Sequence, residues 1–240
     1  MAFADHFPLR SRLGWAVRLP LKLIPDGTPV PVLTGPNRGL YLIKGYGPAS
    51  YWLGIVERPL QRLAIANVHK GDVVYDIGAN VGLHTLLFSR LVGEDGHVFA
   101  FEPSPPTARK LAEHLRLNKV KNVTIIEKAV SRQEGTLRLC LNEDPCQTHL
   151  DENGEISVAT TSIDTLIREL PPPNCIKMDI EGAEVEALPG GEKCFRTYKP
   201  KLFLATHFGS DVKCCELLRS WGYKTNFFED RDLLALAKSL

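Results

Sequence analysis

At 240 residues, 44% of them hydrophobic and 24% charged, the chain is long enough to bury a substantial core, as one large domain or two small ones. A formal net charge of +1 leaves no basic surplus to mark a nucleic-acid-binding surface, and Arg18, Pro20, Lys22 and Pro25 break up the one apolar stretch that approaches membrane-spanning length. The six cysteines (Cys140, Cys146, Cys175, Cys194, Cys214 and Cys215) show no Cys-x-x-Cys spacing, which argues against structural zinc and a cysteine-held iron–sulfur cluster and fits a reducing, cytoplasmic setting.

In chain order, the opening Met1-Ala2-Phe3-Ala4-Asp5 lacks the basic start of a signal peptide. Residues 7–23 interleave Arg10, Arg12, Arg18 and Lys22 with Phe7, Leu9, Leu13, Trp15, Val17 and Leu21. This reads as an amphipathic helix packed on the protein, with contact to a membrane surface as the alternative. Pro25-Asp26-Gly27 is a turn, and Pro29 to Leu33 and Leu40 to Ile43 read as a small hairpin. Tyr51 and Trp52 follow, as core aromatics or as walls of a pocket, and Leu60, Leu63, Ala64 and Val68 recur at helical spacing. Residues 1–69 are thus expected to form an N-terminal helix and β annex, with a larger domain from 70 to 240.

The larger domain opens on Val73-Val74-Tyr75-Asp76-Ile77-Gly78-Ala79-Asn80-Val81-Gly82, followed by Leu83-His84-Thr85-Leu86-Leu87-Phe88. An apolar β-favouring run that breaks into a Gly-x-Asn-x-Gly turn and resumes at helical spacing predicts strand, tight loop and helix, the form of a nucleotide-cofactor loop. Gly78 and Gly82 allow close backbone approach to a ligand, and Asn80 tolerates positive φ. The places where a dinucleotide fingerprint requires glycine hold Gly78, Asn80 and Leu83, and no Lys or Arg stands between Asp76 and Phe88, as a P-loop would require. Asp76 at the strand end suits a ligand with positive charge, and S-adenosylmethionine, with its ammonium and sulfonium, fits. His97 to Phe101 is a second buried strand ending at Glu102, near the spacing from Asp76 at which an acidic residue meets ribose hydroxyls.

A helix over 106–118 leads to a third strand, Val123 to Glu127, and to Ala129-Val130. Gly135 to Leu141 alternates as a strand and pairs with Ile156 to Thr161; the polar residues 142–155 between them, with a solvated His149, are where a substrate flap is expected. Ser162 begins a short helix that Pro171-Pro172-Pro173 ends. The fourth strand, Cys175 to Met178, runs into Asp179-Ile180-Glu181-Gly182-Ala183-Glu184, and the fifth, Lys201 to Ala205, into Thr206-His207. A helix over 212–221 and an edge strand over 223–228 complete a β-α alternation: an α/β fold with a doubly wound, mostly parallel sheet.

Asp76-Ile-Gly-Ala-Asn-Val-Gly82, Phe101-Glu102-Pro103, Ile176-Lys177-Met178-Asp179-Ile180-Glu181-Gly182-Ala183-Glu184 and Leu188-Pro189-Gly190-Gly191 together resemble the FkbM family of S-adenosylmethionine-dependent methyltransferases. The resemblance runs from about Gly27 to Phe228. It implies a seven-stranded Rossmann-like sheet and methylation of a hydroxyl on a sugar, glycolipid or polyketide-like acceptor. It also implies that Asp76 to Gly82, including Gly78, Ala79 and Asn80, hold the methionine part of the cofactor, Glu102 the ribose and the Ala129 region the adenine. Where the family usually has an acidic residue before the histidine that follows its fifth strand, this sequence has Ala205-Thr206-His207, so no acidic partner for His207 is legible beside it.

Methyl transfer is an in-line displacement in which the protein aligns the acceptor oxygen and takes up its proton. Asp179, Glu181 and His207 stand where strand ends meet ligand in such folds and are the candidate catalytic residues, with His207 the base best matched in pKa. Acidic residues in a first helical turn also favour the helix dipole, which is the competing account of Glu184 in particular. The three carboxylates could together hold a magnesium ion, but the reading adopted assigns no metal. The rivals are a nicotinamide-dependent oxidoreductase and a non-catalytic cofactor-binding protein. Methylation of nucleic acid is disfavoured by the missing basic surface.

Overall fold

The computed structural model describes residues 23–140, 149–150, 154–228 and 232–237, with the backbone alone at 149–150. The amphipathic pattern that ends at residue 23, Cys146, the side chain of His149 and most of the expected flap lie outside what is described. Among the described residues no helix is long and apolar enough to cross a membrane, and Cys175, Cys194, Cys214 and Cys215 are free thiols. The chain divides after Arg58 into two compact units.

In the first unit, β1 (Pro29–Pro31) and β2 (Tyr41–Ile43) form the expected hairpin, antiparallel with Val30 opposite Leu42. The short helix α1 (Ala49–Leu53) supplies Trp52, which is buried and donates its indole N–H to the carbonyl of Leu42 at 3.2 Å. A buried indole with its single donor satisfied is a core residue of this unit.

The second unit is built on a seven-stranded sheet. Its strands are β3 (Val73–Ile77), β4 (His97–Phe101), β5 (Val123–Ile126), β10 (Cys175–Met178), β11 (Lys201–Ala205), β12 (Tyr223–Phe227) and β13 (Asp232–Ala237), in the order β12-β13-β11-β10-β3-β4-β5. The five strands from β11 to β5 run parallel, and β13 lies antiparallel between β11 and β12. The helices include α2 (Arg58–Asn67), α3 (Leu83–Val92), α4 (Pro105–Leu117), α5 (Ile163–Glu169), α6 (Glu184–Ala187), α7 (Glu192–Thr197) and α8 (Asp211–Ser220). The two sheet faces bury separate clusters because successive side chains point to opposite sides. Tyr75, Ile77, Phe99, Phe101, Ile176, Met178, Leu202 and Leu204 belong to one, and Val74, Val98, Cys175 and Phe203 to the other, with Leu60, Ala64 and Val68 of α2 and its C-terminal flank.

Strand β13 departs from expectation, since the sequence reading ends the sheet at 223–228. Its Leu233-Leu234-Ala235-Leu236 run is made of good helix formers without alternation, but Leu233, Leu234 and Ala235 are buried in the sheet. Burial decides the conformation over intrinsic propensity.

The β excursion after β5 forms its own sheet, in the order β6-β9-β7-β8, from β6 (Ala129–Val130), β7 (Gly135–Cys140), β8 (His149–Leu150) and β9 (Ile156–Thr161). The predicted pairing of β7 with β9 is antiparallel, with Leu137 opposite Val158. The chain order reverses between β3, which is flanked by β4, and β10 on its other side, so the crevice beyond these carboxyl ends is where a ligand binds in such a sheet.

Candidate active site

The turn after β3 is held by its neighbours. Gly78 and Ala79 both donate their N–H groups to the carbonyl of Phe101 at 3.0 Å, and Val81 O is 2.7 Å from Nδ1 of the buried His114 on α4. Gly78, Asn80 and Gly82 have φ of 78°, 50° and 92°. A β-carbon at Gly78 would fall 1.9 Å from the carbonyl oxygen of Asp179, and one at Gly82 would fall 2.3 Å from Cδ1 of Leu111. The protein's own packing, at the meeting of β3 with β10 and of the turn with α4, therefore demands both glycines before any ligand does.

Glu102 lies beside this turn. Its Oε2 accepts the N–H of Asn80 and its Oε1 the N–H of Ser104, each at 2.9 Å. Burial pushes the carboxyl up to about 7, against the opposing pull of those two N–H groups and of Lys177. Each oxygen keeps lone-pair capacity for a second donor, the arrangement that a pair of vicinal ribose hydroxyls needs.

Asp76 is fully buried. Its Oδ2 accepts from the hydroxyl of Thr85 at 2.6 Å, while its Oδ1 has no hydrogen-bond partner among the described residues. Lys177 stands opposite Asp76 in the parallel register of β10 on β3, so both side chains share one face. The lysine is buried, donates to Gly78 O at 2.8 Å, and holds its Nζ 3.7 Å from Asp76 Oδ1 and 3.5 Å from Asp179 Oδ2. The turn itself has no cation, as its sequence says, but a neighbouring strand delivers one. Near this pair lies His84, buried on α3, whose imidazole burial and Lys177 hold down to about 4.

Beyond β10 the chain does not enter a helix directly. Residues 179–183 make a turn in which Glu181 has φ of 52° and Gly182 of 103°, and α6 starts only at Glu184. The helix-dipole account thus fails for Asp179 and Glu181, neither of which is in a helical turn. Glu184 opens α6, but its carboxylate is turned inward and completely buried. Its Oε1 accepts the N–H groups of Ile180 and Gly182 at 3.1 and 3.2 Å and lies 3.0 Å from His207 Nδ1. The acidic partner of His207, absent from the end of β11, comes from α6. Nε2 of His207 then faces the crevice, 3.7 Å from both Asp179 Oδ1 and Glu181 Oε2.

The bond to Glu184 raises the imidazole above its ordinary pKa, and the Asp179 and Glu181 charges add to this against burial. Burial raises Asp179, but Lys177 and His207 outweigh it, leaving the carboxyl below its usual range; for Glu181 burial prevails and the shift is upward.

The structure therefore brings together Asp76, Gly78, Ala79, Asn80, Gly82 and Glu102 at one end of the crevice, and Asp179, Glu181 and His207 at the other. Ala129 packs with Leu139 and Val158 in the small core of the second sheet. Lys177 and the pairing of Glu184 with His207 are missing from the sequence reading. A lysine inside an apolar central strand was a legible signal, because buried lysines require a partner. The Glu184 pairing spans 23 residues and has no local signature.

The Methyltransferase FkbM domain pattern matches residues 76–225. Over 163 residues the chain is 29% identical to hexuronic acid methyltransferase AglP of Haloferax volcanii, a match covering 65% of each protein. A 24% identity over 177 residues links it to methyltransferase 1 of Beauveria bassiana, covering 57% of this chain and 71% of that one. Among solved structures, the FkbM methyltransferase of Methylobacillus flagellatus superposes with a TM-score of 0.52 at 22% identity, covering 69% of this chain and 43% of that one. Precorrin-6y C5,15-methyltransferase of Geobacter metallireducens gives a TM-score of 0.52 at 15% identity, over 80% and 93% of the two chains.

Proposed function

Because this chain belongs to the FkbM methyltransferase family, we propose that it is an S-adenosylmethionine-dependent O-methyltransferase acting on a hydroxyl of a carbohydrate-containing small molecule or glycan. The observation that carries the cofactor assignment is the junction of Glu102 with the Gly78–Gly82 turn through Asn80 N–H. It sets a buried carboxylate with spare acceptor capacity beside the end of β3. The Oδ1 of Asp76, which makes no hydrogen bond among the described residues, is consistent with a cationic nucleoside there. Carbohydrate is favoured over a polyketide-like acceptor by the likeness to a hexuronic acid methyltransferase.

When bound, the cofactor supplies a methyl group activated on sulfonium. Transfer of that methyl from sulfur to an acceptor hydroxyl would require this chain to align the oxygen and to accept its proton. His207 Nε2 is placed to take it, with Glu184 holding Nδ1–H and stabilising the imidazolium. Asp179 and Glu181 flank that nitrogen and orient the hydroxyl. The test is calorimetric titration with S-adenosylmethionine, followed by incubation with hexuronates and hexuronate-bearing glycans and a search by mass spectrometry for the gain of one methylene. Folded protein that does not bind S-adenosylmethionine ends the proposal.

A further inference from the structure

The crevice cluster has a composition that proton transfer alone does not explain. Asp179 Oδ1, Glu181 Oε2 and His207 Nε2 lie within 4.8 Å of one another and include no hydrogen bond, since His207 Nε2 is 3.7 Å from each carboxylate oxygen. Two donors each about 2.1 Å from one ion lie roughly 3 to 4.2 Å apart as the angle between them opens from right to straight, so the two histidine–carboxylate spacings suit a common centre.

The surroundings of His207 point the same way. Glu184, outside the trio, is completely buried and fixes the other imidazole nitrogen, the role that a carboxylate behind a ligating histidine plays in orienting its ring. Its second oxygen is also buried and has no hydrogen-bond partner among the described residues. Asp179 shares its one fixed cation, Lys177, with the buried Asp76, so that Asp179 and Glu181 face the crevice with only the titratable His207 between them.

We propose that Asp179, Glu181 and His207 bind one divalent cation, with Glu184 as the positioning residue behind His207. Two carboxylate oxygens and one imidazole nitrogen, with the crevice side open, make a donor set suited to Mn²⁺ more than to the all-oxygen preference of Mg²⁺. This deepens the methyl-transfer reading and rests on it only for the consequence: with the ion in place, the base role given above to His207 passes to solvent, because an acceptor hydroxyl on the ion's open side has its pKa lowered while His207 holds the ion.

The experiment is titration of the metal-free full-length chain with Mn²⁺, following the free-ion signal by electron paramagnetic resonance, with S-adenosylmethionine affinity measured on the same preparations. The wild type is expected to bind one Mn²⁺ per chain, with Mg²⁺ competing weakly. Glu181→Gln, in a half-exposed turn where packing is unaffected, is expected to weaken binding at least tenfold. Glu184→Gln should weaken it 10- to 100-fold, and His207→Ala should abolish it. Absence of saturable Mn²⁺ binding by the wild type, or unchanged affinity in Glu181→Gln and His207→Ala, overturns the site. Binding of S-adenosylmethionine without Mn²⁺ removes the ion alone, whereas binding of Mn²⁺ without S-adenosylmethionine removes the methyl-transfer reading and leaves the ion site standing.

Discussion

The proposed contact of Glu102 with the cofactor ribose can be tested without an acceptor. Its carboxyl, raised from 4.5 to about 7 by burial, retains a proton in the folded chain that the unfolded chain has shed. Its contribution to stability is therefore fully present below pH 4.5 and declines as pH rises to about 7, by about 3 kcal/mol over that window. Ribose hydroxyls donating to Glu102 would favour the ionised form and bring the pKa back down. At pH 6.5 the free protein holds roughly 0.75 of a proton on this group, so binding should release about 0.7 of a proton, against almost none at pH 8.5. Calorimetric titration with S-adenosylmethionine in buffers of different ionisation heat reads this directly. Glu102→Gln should abolish the release and weaken binding by about 10- to 100-fold, the worth of hydrogen bonds to a charged group. Heats at pH 6.5 that do not depend on buffer, or proton release that survives in Glu102→Gln, would refute the ribose assignment.

Lys177→Met should cost about 3–5 kcal/mol in urea unfolding, because it strands the buried Asp76 carboxylate without a counter-charge. Thr85→Val removes a hydrogen bond to that same carboxylate and should cost about 1.5–3 kcal/mol in the same assay. Gly78→Ala meets both a φ of 78° and the Asp179 carbonyl at 1.9 Å, so a loss above about 2 kcal/mol is expected in thermal unfolding. In a histidine NMR titration His207 should lose its proton above the ordinary pH of 6.5, and in Glu184→Gln that midpoint should fall, because the hydrogen bond to Glu184 does most to raise it.

The strands most legible in the sequence were those whose ends coincide with an abrupt change of residue type. The runs at 97–101, 156–161, 175–178 and 201–205 were expected at the bounds the structure gives them, because β-branched and aromatic residues end abruptly at Glu, Ser, Asp or Thr. Strand β13 was hidden because Leu and Ala favour helix, and only its slot between β11 and β12 makes it extended. In the site, the nearness of Glu102 to the turn was expected because parallel neighbours β3 and β4 end level, with Ile77 opposite Phe101. The partner of His207 was not, because α6 packs back after a turn in which Glu181 and Gly182 take positive φ, a reversal that hydrophobic periodicity does not encode.

The strand order also changes what a substitution in this site can mean. Read along the chain, the Gly78–Gly82 turn and the acid–histidine cluster are separate motifs; in the sheet, β10 lies beside β3 and a single ammonium group touches both. Lys177 donates to Gly78 O and stands within 3.7 Å of Asp76 and 3.5 Å of Asp179. Neutralising Asp179 would leave Lys177 to Asp76 alone and strengthen that pair, since at such distances in a buried site each removed charge is felt by its neighbours. Asp179→Asn should therefore alter cofactor affinity as well as turnover, and a fall in activity could not be assigned to the acceptor step. His207→Gln is the cleaner probe: its imidazole nitrogens face Glu184, Glu181 and the Oδ1 of Asp179, and among the described residues no hydrogen bond or ion pair joins the ring to Lys177 or the Gly78–Gly82 turn. A loss of turnover with unchanged S-adenosylmethionine affinity in that variant would separate the two ends of the crevice that Lys177 otherwise joins.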